Sequence, residues 1–139
     1  MTHHPFAVGM LSALFASGLA SCVEVGGASG ELASVKSDSG TLSVVVATVS
    51  GAPVERGTNA LELHITNASG AAVDGLSLNV VPWMPAMGHG ASVKPSVHGE
   101  GQGVYLVENL ELFMPGLWQL QTTFSNGVSD HAAPSFEVQ

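Results

Sequence analysis

From Thr41 onward, apolar residues recur at every second position through most of the chain, the signature of strands with one buried face. In the first run Leu42, Val44 and Val46 share a face while Val45, Ala47 and Val49 stay apolar on the other, which predicts a central strand covered on both sides or a crossover between sheets. Gly51-Ala52-Pro53 and Arg56-Gly57 break that run. Leu61, Leu63 and Ile65 then alternate with Glu62, His64 and Thr66, predicting a strand whose wet face carries His64. Turn residues at Asn67 to Gly70 and Asp74-Gly75 precede Leu76, Leu78 and Val80, a third strand that leads into Trp83. Ser92 to Val97 reads as a short strand, Gly99 to Gly103 as a reversal, and Val104 to Val107 as a further strand. The clearest alternation sets Trp118, Leu120, Thr122 and Phe124 on one face against Gln119, Gln121 and Thr123 on the other. Asn126-Gly127 marks a hairpin, and Ala132 to Val138 returns as a last strand that Pro134 assigns to an edge. About seven strands with no helical period predict an all-β fold, an immunoglobulin-like antiparallel β-sandwich over residues 41–139.

The residues before Thr41 follow a different pattern. Phe6 to Ala20 is an almost uncharged apolar run, of the length of a signal-peptide core and short for a bilayer span. It ends in Leu19-Ala20-Ser21-Cys22, which resembles a bacterial lipobox and uses the only cysteine of the chain, although the preceding Met1 to Pro5 has histidines and no Lys or Arg. The resemblance implies a lipoprotein signal peptide over residues 1–21 and lipidation at Cys22, with no thiol left for a disulfide within the chain. Residues 22–40 are rich in Gly, Ser and Ala and read as the lipidated Cys followed by a flexible linker.

Composition narrows the function. With 139 residues the chain is long enough for one domain with a real core. Three Lys and Arg against eleven Asp and Glu give a formal charge of -8, which repels phosphate backbones, so nucleic acid is excluded as a partner. The chain has no G-x-S-x-G or H-E-x-x-H, and its acids are dispersed singly, so no enzyme activity is expected.

The concentrated chemistry lies in Trp83-Met84-Pro85-Ala86-Met87-Gly88-His89-Gly90, read as a loop. Thioethers are soft, uncharged donors that select cuprous copper over zinc, calcium or magnesium, and an imidazole adds a donor that also suits cupric copper. In an antiparallel sandwich successive loops alternate between the two ends, so the loop at Met114 falls at the same end, as does the bend around Glu55 and Arg56. The same count sends His131 and His98 away from it. The candidate metal set is Met84, Met87, His89 and Met114, with copper, Cu(I) favoured, as the expected cofactor. The alternative use of the same residues is packing, with the methionines filling gaps against Trp83 and Trp118 at one end of the sandwich.

The combination of Met84-Pro85-x-Met87-Gly88-His89, Gly103-Val104-Tyr105 and Met114-Pro115-Gly116-x-Trp118 resembles the YtkA-like domain, related to FixH-type proteins, over about Thr41 to Val138. The resemblance implies a small exported β-sandwich, tethered to a membrane or acting beside copper-handling and respiratory-oxidase assembly proteins, and it implies no enzyme activity. Two functions are therefore expected as alternatives. One is a cell-envelope lipoprotein, facing the periplasm, that binds copper for buffering or transfer. The other is a metal-free interaction module docking on an envelope or membrane protein. Val23 after Cys22 favours the outer membrane as the anchoring site.

Overall fold

The computed structural model describes residues 30–139. The signal segment 1–21, the lipidation site Cys22 and the linker to residue 29 lie outside the described residues. Ten strands follow in chain order: β1 (Glu31–Lys36), β2 (Leu42–Thr48), β3 (Gly57–Asn67), β4 (Ser77–Met84), β5 (His89–Gly90), β6 (Ser96–Gly101), β7 (Val104–Leu112), β8 (Gly116–Ser125), β9 (Asp130–Ala132) and β10 (Ser135–Val138). A short 3-10 turn, Val49–Gly51, follows β2.

The strands form two antiparallel sheets. One has the order β1-β2-β3-β7-β6 and the other β10-β8-β4-β5, with β9 also paired to β8. Without β1, these are the A-B-E-D and G-F-C-C′ orders of an immunoglobulin-type sandwich, as the turn spacing predicts. Leu42, Val44, Val46, Leu61, Leu63 and Ile65 from the first sheet meet Val80, Met84, Trp118, Leu120 and Phe124 from the second in one buried cluster. The alternations read from the sequence on β2, β3 and β8 are the inward faces of those strands.

The strand count exceeds seven for three local reasons. Part of the expected linker, Glu31–Lys36, is a strand paired to β2, because Leu32, Ala33 and Val35 pack against the core. The two-residue β5 pairs with the end of β4. Pro134 divides the last run into β9 and β10, which continue along the same edge of β8, with the amide of Leu120 still donating to the carbonyl of Pro134.

The Gly103-Val104-Tyr105 motif fastens the crossover between the sheets. The Tyr105 hydroxyl donates to the Val73 carbonyl at 2.7 Å and accepts from the Leu76 amide at 3.2 Å. Gly103 has φ +74, and a Cβ there would lie 2.5 Å from the carbonyl oxygen of Ile65, so only glycine lets the β6–β7 turn approach β3 this closely. Both residues hold the segment between β3 and β4 in place, and β4 delivers the methionine motif.

Candidate functional site

The motif read as a loop from Trp83 is a tight hairpin whose first two residues still belong to β4. The inward parity of Val80 and Pro82 continues to Met84, which is 4% exposed, while Trp83 points to the outer face. The chain then turns over Pro85–Gly88, with the amides of Met87 and Gly88 both donating to the Met84 carbonyl at 3.1 and 3.0 Å. His89 and Gly90 return as β5, opposite Met84 and Trp83 respectively. A Cβ on Gly90 would lie 2.4 Å from the Pro82 carbonyl oxygen and 3.4 Å from the indole Cε3 of Trp83, so the ring lies against bare backbone.

The second methionine turn reaches the same end. Phe113, Met114 and Pro115 connect β7 to β8, and Met114 is half-buried against the core. The Trp118 indole donates to the Met114 carbonyl at 2.9 Å, which fixes this turn over the end of the sandwich. The terminal methyl of Met84 lies 3.0 Å from where a Cβ of Gly116 would stand, so the two motifs interlock.

A cavity of about 250 Å³ opens beside them, lined by His89, Ser92, Glu111, Phe113, Met114 and Trp118 among others. A larger depression of about 480 Å³, lined by Val54, Glu55, Arg56, Phe113 and Gln139, adjoins it across Phe113. The bend at Glu55 and Arg56 is therefore at the expected end.

The four expected metal residues are only partly gathered. His89 and Met114 share the cavity; Met84 sits in the core beneath this end, and Met87 projects at the hairpin tip, 53% exposed. The packing alternative is met by Met84 and by the fixed Trp118, whereas Met87 and His89 are too exposed to serve as filler.

Donor chemistry limits what could be held. Among the described residues no three His, Asp or Glu side chains come together as a metal cluster. The cavity is lined by an imidazole and a thioether, His89 and Met114, a pair of donor types that suits copper. The other histidines among the described residues lie elsewhere. On the outer face of the first sheet His64 contacts Glu62 at 3.0 Å and His98 approaches Glu108 at 3.4 Å, while exposed His131 is on β9 toward the opposite end.

Glu111, Ser92 and Phe113 escaped the sequence reading. A signal for Glu111 was present: apolar parity runs through Tyr105 and Val107 and resumes one residue late at Leu110 and Leu112. That slip marks a bulge at Asn109, whose φ is +56, and it leaves Glu111 between two buried leucines but off the core face.

A family model described as YtkA-like matches residues 36–123, from the end of β1 through most of β8, and so includes both methionine motifs and Gly103-Val104-Tyr105. No curated protein and no solved structure matches the chain.

Proposed function

Since the chain belongs to the YtkA-like family, we propose that it is a copper-binding lipoprotein of the cell envelope, holding Cu(I) at one end of its sandwich for buffering or transfer. One observation carries this reading: His89 on β5 and Met114 in the turn between β7 and β8 line one solvent-accessible cavity. In the proposed site these two residues supply the imidazole and the thioether. Met87, exposed two residues before His89, is the donor free to swing in, and Met84 supports the site from the core. Copper supplies no reaction in this reading, and the protein's role is to bind and release it. A lipid on Cys22 holds the domain at a membrane facing the periplasm, the outer membrane being favoured, and the receiving partner is a copper-handling or oxidase-assembly protein.

A second reading has its own support. Met87, Val93, Phe113 and Leu117 are exposed by 42 to 59%, with Phe113 lining the cavity, and exposed apolar side chains of this size suit docking on an envelope protein without metal. Competition of the purified protein for Cu(I) against a chromogenic chelator separates the two. One-to-one binding that is lost in His89→Ala and Met114→Leu but kept in Met84→Leu supports the copper site. Wild-type affinity no greater than that of the His89→Ala, Met114→Leu double variant removes it and leaves the docking role.

A further inference from the structure

Glu111 is a carboxylate with no cationic partner among the described residues. Its neighbours Leu110 and Leu112 are fully buried, and it is itself half-buried. It lines the same cavity as His89 and Met114. The bulge at Asn109 turns Glu111 off the core face, and bulges are a common device for re-aiming a side chain beside a functional site. An acid in that position does nothing for a soft cuprous ion, which is satisfied by thioether and imidazole. For cupric copper it is the matching donor, because the oxidised ion prefers nitrogen and oxygen.

Resting on the copper reading above, we propose that Glu111 is a direct ligand for Cu(II), so that one cavity holds both oxidation states by exchanging donors. His89 is common to both, Met114 serves Cu(I), and Glu111 serves Cu(II). A site of this kind accepts copper from an oxidising or a reducing source without a second binding region, and no electron transfer by the protein is involved.

The test is a pair of affinities on the purified full chain. Cu(I) is measured anaerobically by competition with bicinchoninate, and Cu(II) by competition with glycine, with electron paramagnetic resonance on the cupric form. Glu111→Gln is expected to weaken Cu(II) binding by about tenfold or more, the scale on which even residues that only support a ligand act, and to leave Cu(I) binding unchanged. Met114→Leu is expected to do the reverse. Equal losses for both ions in Glu111→Gln would mean that the residue acts through His89 or through the fold, and would overturn the proposal. Wild-type protein that binds Cu(I) but not Cu(II) also overturns it while leaving the copper site standing. Protein that binds neither ion overturns both.

Discussion

Gly90 is a position where the cavity end admits no side chain. A Cβ there collides with the Pro82 carbonyl, which is backbone and cannot swing away, so relief must come from moving β5 off β4. Gly90→Ala is therefore expected to cost about 1–3 kcal/mol, the usual cost of overpacking, read as a lower denaturation midpoint with an unchanged slope. The residue next to it, His89, would be displaced with β5. At this scale the sequence displayed residue types better than directions. Met84, Met87, His89 and Met114 were legible as chemistry, and the two methionine turns do meet at one end. Their burial was not legible, because Pro85 rather than Trp83 ends the strand, and the run Leu78, Val80, Pro82, Met84 carries the inward face two residues further than a loop starting at Trp83 allows. Glu111 stayed hidden behind a one-residue slip in an otherwise regular alternation.

Between elements, the far end of the sandwich is closed by a polar staple. Asp130 at the start of β9 is buried, and it receives hydrogen bonds from Ser39 and Thr41 in the turn between β1 and β2 and from the amide of His131. Hydrogen bonds from the hydroxyls of Ser37 and Ser39, foremost, hold its carboxyl well below the usual value of 3.8. The amide of Asp38 adds a bond to the His131 carbonyl at 2.8 Å. A depressed folded value means that the staple contributes fully above the ordinary carboxylate range and loses its contribution as the pH falls below about 4 toward the folded value. Asp130→Asn should therefore be clearly less stable than wild type at pH 7, and the gap should narrow at pH 3, as urea midpoints at the two pH values would show. A gap of equal size at both would mean that packing, not charge, makes the difference. Elements with a dry face and a wet face, β3 and β8 above all, were readable from their residues alone. β1 was not, since its apolar residues are only partly buried and its Ser and Gly neighbours have a linker's composition. β5 was not either, because two residues carry no period.

For the whole molecule, the topology gives the sandwich two unlike ends. One is fastened by serine hydroxyls and a carboxylate, and the other is closed by Met84 and Trp118 and opens into the cavity. The immunoglobulin-like arrangement was legible because strand number and turn spacing nearly determine it, whereas the placement of chemistry on one end had to come from the alternation of loops. Membrane attachment belongs to this scale. Cys22→Ala should move the protein from the membrane fraction to the soluble fraction of cells, and unchanged partitioning would rule out the lipid anchor. The course of β1 then acquires a meaning. It starts beside Ala47 near the end of β2 and runs away from the cavity, so the chain comes into the domain on the cavity's side of the strand. Eight residues beyond Cys22 bring the chain to Gly30, at most about 29 Å when fully extended, which is less than the length of β3. In the proposed lipoprotein, so short a leash would hold the domain low over the bilayer with its cavity in the half nearer the lipid, and an ion released there would meet membrane-embedded acceptors before soluble ones.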